Sequence, residues 1–316
     1  MATYEKVVLI TRKTRLEGLI ERYNTRAQAK FSLEHAGLDF ADYEREHDTY
    51  RRSLDAVLTQ LDGSLKVQPL DRGLVPTYLF APTDLVVVLG QDGTVANTAK
   101  YVGAQPVLGV NPDPERFDGV LLPFRVDAVK RALSATLGGT AAVRAVTLAE
   151  VTLSDGQRLL AFNDLFVGAR THVSAQYRLR ANGDAWERQS SSGLIVSTGA
   201  GSTGWLSSVF TGASAVAGGA ARAAPTMRWE DHRLYFVVRE PFVSKQTRAT
   251  QAAGWVEHEL QVESLMPSGG VIFSDGMEDD ALRFTSGVTA RIGPSAQRAR
   301  LVVAAEGAGL LPNAER

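Results

Sequence analysis

Three short apolar runs in the first third of the chain set the strongest limit on how it can fold. "KVVLIT" (6–11), "DLVVVLG" (84–90) and "QPVLGVN" (105–111) are nearly continuous stretches of β-branched residues and leucine, without polar alternation. A strand that is apolar on both faces must be covered on both faces, as in a parallel sheet sandwiched by helices. The segments between the runs have helical character. Leu16, Leu19, Ile20 and Tyr23, then Leu54, Val57, Leu58 and Leu61, recur at helical spacing in a charged background. Residues 15–61 therefore read as two helices with a loop near "HAGLDFADYEREHD". "KVQPL" (66–70) reads as a weaker strand and "VANTAKYV" (95–102) as a helix. Alternation of this kind up to about residue 125 predicts an α/β domain built on a parallel sheet.

After the amphipathic segment "DAVKRALSATLGG" (127–139) the texture changes. Short strand-like runs separated by turn residues follow, among them "AAVRAVTLAEVTL", "RLLAFNDLFVG", "GLIVST", "RLYFVVRE" and "GGVIFSDG", with one helix-like insert at 203–218. "VTARIG" and "RARLVVAA" read as two further strands, and "GGAARAAP" (218–225) as a small-residue loop. The expected organisation is an α/β domain over 1–125, a β-rich domain over 126–300 and a tail over 301–316. There is no internal repeat and no low-complexity segment.

Composition removes several function classes. The chain of 316 residues carries 34 Lys and Arg against 35 Asp and Glu, a formal net charge of −1. That balance argues against nucleic acid or an anionic membrane as a partner. No cysteine is present, which excludes disulfides, thiolate metal sites and cysteine nucleophiles. No apolar stretch approaches the roughly 20 residues that span a bilayer, and no basic region followed by an apolar core precedes "EKVVLI". The expectation is a cytoplasmic protein.

The residues that could carry chemistry sit at strand ends. The first group is Gly90-Gln91-Asp92-Gly93-Thr94, where a buried strand gives way to a helix-like pattern. In open α/β sheets, ligands bind beyond the carboxyl ends of the strands. Glycines there let the backbone take φ > 0 and approach a phosphate closely, and a helix N-terminus favours anions. A carboxylate in such a place serves as a proton acceptor or a Mg²⁺ ligand. Read alone, however, Asp-Gly is more often a tight turn. Asn111 ends another such strand on the same rim, in "GVNPDPERFDG". Asn163 and Asp164 interrupt an apolar strand and read either as a bulge or as a polar pair at a pocket. Thr198-Gly199-Ala200-Gly201-Ser202-Thr203-Gly204 is a small, hydroxyl-rich turn before the helix-like insert. It suits phosphate or ribose oxygens but equally suits a linker or helix cap, and it lacks the Gly-Lys-Ser/Thr ending of a Walker A loop. "FSDGMEDD" (273–280) reads as a hairpin turn with an acidic rim, with Asp275-Gly276 able to line a cleft, and His172 as a surface histidine.

Taken together, in order and spacing, these groups resemble the NAD kinase family, which belongs with diacylglycerol and sphingosine kinases and 6-phosphofructokinases. "GQDGT" is similar to the family's Gly-Gly-Asp-Gly-Thr signature, Asn163-Asp164 to its Asn-Glu motif, and residues 193–205 to its glycine- and threonine-rich motif. "GVNPDPER", "SSGLIVSTGAGS" and "REPFVSK" look most like the mitochondrial type. With no transit-peptide pattern, the sequence reads as a bacterial-style relative. The resemblance implies a two-domain fold and transfer of phosphate from ATP, with its Mg²⁺, to NAD. Asp92 would be the base for the 2′-hydroxyl of the adenosine ribose. Gly90, Gly93 and Thr94 would shape the phosphate-side loop. Asn111, Asn163 and Asp164 would join the binding set, the last two at the NAD ribose or amide. Thr198, Gly199, Gly201, Ser202 and Thr203 would line the adenine and phosphate site, with Trp205 in place of the family's tyrosine. No protein-held metal is implied, and the assembly would be a homodimer or homotetramer.

The departures define an alternative: a catalytically weak NAD(P)- or nucleotide-binding protein, or a kinase for another substrate. Gln91 replaces the signature's second glycine. If that position has φ > 0, glutamine costs of order 1 kcal/mol. Asp164 is one methylene shorter than glutamate, and Ser192 stands where many members have aspartate.

Overall fold

The computed structural model describes residues 4–63, 65–219 and 223–304. The described residues divide into two compact units, 4–144 with 300–304, and 145–299.

In the first unit, β1 (Lys6–Thr11) leads to three helices, α1 (Arg15–Tyr23), α2 (Arg26–His35) and α3 (Phe40–Leu61). The sequence suggested two helices and a loop near 35–48. Instead, the break is confined to the few residues before Phe40, because Asp39 caps α3 by accepting the N–H of Ala41. Thr14 and Glu17 form a reciprocal capping box that starts α1. There follow β2 (Lys66–Asp71), β3 (Asp84–Leu89), α4 (Asp92–Ala99), β4 (Pro106–Asn111), the two-residue β5 (Phe124–Arg125) and α5 (Val129–Leu137). The order β2-β1-β3-β4 is wholly parallel, with Lys6 opposite both Lys66 and Asp84. Every residue of β3 and β4 is buried, as their unbroken apolar runs require. Helix α5 lies in this unit, not in the β-rich one, because Val129, Ala132 and Leu133 join the core formed by Val7, Leu9, Val87 and Leu108. The division therefore falls at residue 144, where the sequence reading put it at 125.

The second unit comprises β6 (Val143–Leu153), which begins just before the division, then β7 (Arg158–Ala161), β8 (Asp164–Ala169), β9 (Ala175–Ala181), β10 (Glu187–Ser191) and β11 (Leu194–Ser197). Next come α6 (Trp205–Val216), β12 (Leu234–Val238), β13 (Ala253–Val256), β14 (Leu260–Ser264), β15 (Gly270–Ser274), β16 (Met277–Arg283) and β17 (Thr289–Val302). One antiparallel sheet has the order β13-β12-β11-β8-β15-β16, and β10-β9-β14-β17 form another antiparallel run. Strands β9 and β14 alternate buried and less buried residues, whereas β11 is buried throughout. On β11, Leu194 and Val196 enter one core with Tyr177 and Leu260, while Ile195 enters another with Leu206 of α6.

The two segments read as separate final strands are the single strand β17, whose last residues, Arg300 and Leu301, run parallel to β4. Of the expected tail, 301–304 complete this ladder and its exit, and 305–316 lie outside the described residues. So do residues 220–222 of the expected loop. Among the described residues no helix is long and apolar enough to cross a membrane.

Candidate active site

The first unit presents Asp92 at the carboxyl end of β3. Helix α4 starts at Asp92, three residues earlier than its apolar pattern suggests, because the N–H groups of Thr94 and Val95 both reach the carbonyl of Gln91 at 2.8 and 3.2 Å. Gln91 is therefore the N-cap residue, with φ −121° and ψ 167°. The condition under which glutamine would be strained is not met, since neither Gly90, Gln91 nor Gly93 lies in the left-handed region. Gly90 is small for another reason: a Cβ there would stand 2.9 Å from Thr94 Oγ1, inside the first helical turn. At Gly93, by contrast, a Cβ would meet nothing within 4 Å. The Thr94 hydroxyl is buried without a hydrogen-bond partner.

The Asp92 carboxylate sits in the first turn of α4, where the helix dipole favours negative charge. Its Oδ1 accepts the N–H of Leu121 at 2.7 Å. Burial pushes its pKa above the ordinary 3.8, partly offset by the amides of Leu121 and Val120, while the Asp118 carboxylate adds to the rise.

Asn111 is not placed as a ligand-facing residue. It is 4% exposed, its Nδ2 donates to the carbonyl of Phe117 at 2.9 Å, and its Oδ1 accepts the N–H of Asp113 at 3.0 Å. Its amide is spent organising the loop that follows β4.

In the second unit Asn163 and Asp164 mark the point where the chain leaves β7, which pairs with β6, and enters β8, which pairs with β11. This is a change of sheet rather than a bulge within one strand. The carboxylate of Asp275 holds the junction, accepting N–H groups from Phe162 (2.9 Å), Asn163 (2.6 Å) and Asp164 (3.3 Å). Asp275 and Gly276, at φ 53° and 71°, form the turn between β15 and β16. The hairpin was legible in the sequence, but its role as a clamp on residues 162–164 was not. Asp164 is 7% exposed, and burial, with the nearby Asp275 carboxylate, pushes its pKa up to about 7.

The hydroxyl-rich turn closes on the same junction. Thr198 Oγ1 donates to the carbonyl of Phe162 at 2.6 Å, and Ser202 Oγ to that of Gly199 at 2.7 Å. A Cβ at Gly199 would stand 1.9 Å from the carbonyl oxygen of Arg228, and one at Gly201 would stand 2.1 Å from that of Asn163. Thr198, Gly199, Gly201 and Ser202 thus build the turn by contacts within the protein. Thr203 and Gly204 are exposed.

Trp205 opens α6 and stacks on Phe166, with ring centroids 5.7 Å apart, and the Arg239 guanidinium lies 5.5 Å from the Trp205 ring centre. These residues, with Phe273, Ser192 and His172, line a cavity of about 500 Å³. His172, read from the sequence as a surface residue, is exposed and lies on its wall. Among the described residues no group of three or more His, Cys, Asp and Glu side chains could hold a metal ion.

No family model matches the sequence. The mitochondrial NAD kinase 2 of Rattus norvegicus is 26% identical over 250 residues, covering 63% of this chain and 59% of the rat protein. An NAD kinase of Geobacter metallireducens is 33% identical over 130 residues, covering 39% of this chain and 44% of that protein. The chain thus spans less than two thirds of the length of the relatives it matches. Among solved structures, an NAD kinase from Archaeoglobus fulgidus in complex with ATP superposes with a TM-score of 0.58 at 18% identity, covering 94% of this chain and 93% of that one. Yeast NADH kinase complexed with NADH gives a TM-score of 0.58 at 15% identity, covering 97% and 85%. The two-domain fold is the one these kinases share.

Proposed function

We propose that the chain is an NAD kinase, in keeping with its similarity to the NAD kinases named above, and that it transfers the γ-phosphoryl group of ATP to the 2′-hydroxyl of the adenosine ribose of NAD. The products are ADP and NADP. The observation that carries this reading is Asp92: a half-buried carboxylate at the carboxyl end of β3, in the first turn of α4, gripped by a backbone amide and raised in pKa by burial.

In the reaction the ribose oxygen attacks the γ-phosphorus, the bond from that phosphorus to the ADP oxygen breaks, and the hydroxyl proton passes to Asp92. Phosphoryl transfer asks for positioning, charge neutralisation and one proton acceptor. Asp92 supplies the last. The first turn of α4, with Gly93 leaving open space beside it, is suited to phosphate oxygens. Mg²⁺ enters with the nucleotide as part of the substrate, in keeping with its habit of binding through one or two carboxylates and the phosphates themselves.

In the second unit, Asp164 and Asn163 are assigned to the ribose or amide of NAD, and Thr203 and Trp205 to the exposed side of the turn. Thr198, Gly199, Gly201 and Ser202 hold that turn. The same reading carries NAD and ATP as the partners, a homodimer or homotetramer as the assembly, and the cytoplasm as the location, with neither nucleic acid nor a membrane involved. The alternative of a weakened enzyme drew on strain at Gln91. At φ −121° that residue is in extended backbone open to any side chain.

The test is NADP formation from NAD, ATP and Mg²⁺ by the purified protein and by Asp92→Asn. The wild type is expected to produce NADP. The variant is expected to keep its fold and its affinity for NAD while losing turnover. Turnover by Asp92→Asn at the wild-type rate would overturn the assignment of the base.

A further inference from the structure

The loop after β4 does more than connect strands: it delivers the amide that grips Asp92. Asn111 ties its start to Phe117 and Asp113. Gly119, at φ +65°, turns so close beneath Asn111 that a Cβ would stand 2.4 Å from Nδ2. Two residues later the N–H of Leu121 meets Asp92 Oδ1 at 2.7 Å.

The outer side of this loop is held by charge. Arg116 spans both oxygens of Asp42 on α3, at 3.0 and 2.6 Å. Asp42 also accepts Arg15 Nη2 at 2.8 Å, Arg15 Nε reaches Glu46 at 2.6 Å, and Glu46 takes the buried Arg12 at 2.9 Å. Arg116 first, then Arg15, hold the Asp42 carboxyl well below the usual carboxylate range, so it stays charged at any working pH. The N–H of Arg12 donates to the Tyr50 hydroxyl at 2.9 Å, which donates to the carbonyl of Leu89 at 3.2 Å. Leu89 ends β3, three residues before Asp92. A closed circuit therefore runs from the strand that leads into Asp92, through Tyr50, the charge chain and the loop, back to Asp92 through Leu121.

We propose that Arg116 and Asp42 are positioning residues for Asp92, fixing the 112–121 loop so that the Leu121 amide stays on the carboxylate and aims it at the substrate hydroxyl. The proposal rests on the reading of Asp92 as the base. Both side chains are about one-third exposed, so breaking their pair leaves the fold standing. Misaiming a reacting group, by contrast, lowers turnover steeply.

The experiment compares wild type, Arg116→Ala, Arg116→Lys and a control, Arg26→Ala, which breaks the separate pair between Arg26 of α2 and Glu44 of α3. Two quantities are read: amide hydrogen exchange at Leu121 against that of Val86–Val88 in β3, and kcat and KM for NAD. In Arg116→Ala, Leu121 exchange is expected to rise roughly tenfold with β3 unchanged, and kcat to fall roughly tenfold with KM nearly constant. Lysine, which can pair with Asp42 but not by two parallel bonds, is expected to restore part of both. The control is expected to change neither.

Unchanged Leu121 exchange in Arg116→Ala overturns the proposal, as does faster exchange with unchanged kcat. If the wild type made no NADP, the function would fall, while the exchange data alone would still report whether Arg116 holds the loop.

Discussion

A Cβ on Gly201 would stand 2.1 Å from the carbonyl oxygen of Asn163, and so the turn after β11 can close on the β7–β8 junction only through glycine. Gly201→Ala forces backbone apart and is expected to lower stability by about 1–3 kcal/mol. Gly93→Ala is the contrast. A Cβ there meets nothing, φ is not positive, and the position lies in the first turn of α4. It is expected to gain about 0.4–1 kcal/mol, while KM for ATP rises because the open space beside Asp92 is filled. Urea midpoints of the two variants check the ordering. Equal losses would mean that the two glycines are required for the same reason.

Gln91→Gly asks whether the altered signature weakens the enzyme. Gln91 lies at φ −121° and its side chain makes no capping hydrogen bond. Restoring glycine is expected to change stability by less than about 0.5 kcal/mol and kcat/KM by less than roughly threefold. A gain of tenfold or more in NADP formation would return weight to a protein whose catalysis has been blunted at this position.

Asp164 gives stability a pH dependence of defined sign. In the unfolded chain its proton leaves near the ordinary 3.8, and in the folded chain near about 7, because burial and Asp275 oppose the charge. Between those values the folded state binds more protons than the unfolded one, so stability falls as pH rises through this window and levels off above it. Asp164→Asn removes the titration. Urea midpoints at about pH 5 and about pH 8 are expected to differ less in the variant than in the wild type. Equal differences would show that Asp164 is already ionised in the folded protein at pH 5.

Much of the scaffold was legible in the sequence. The runs at 7–10, 85–89 and 106–110 carry no polar side chain because both faces of those strands are buried, and this alone marks a parallel sheet. The turns of the second unit were legible because Gly, Asn and Asp occupy them. Helix counts were less so: α2 and α3 are parted by only a few residues, and Asp39 reads as an ordinary acid until its cap is seen.

The sequence by itself determined which residues were worth suspecting, since Asp92, the Asn163–Asp164 pair and the turn at 198–205 announce themselves by type and spacing. Tertiary structure decided what each does. Asn111 and Gly201 turned out to hold loops, while Asp275, suspected only of lining a cleft, grips the amide of Asn163 with its carboxylate, and Leu121, which carries no local mark of function, grips Asp92 with its own amide. Those partners lie 112 and 29 residues away along the chain. A hydrogen bond closed over such a separation depends on how sheets and loops pack. Periodicity and motif spacing record only what neighbours along the chain impose on one another.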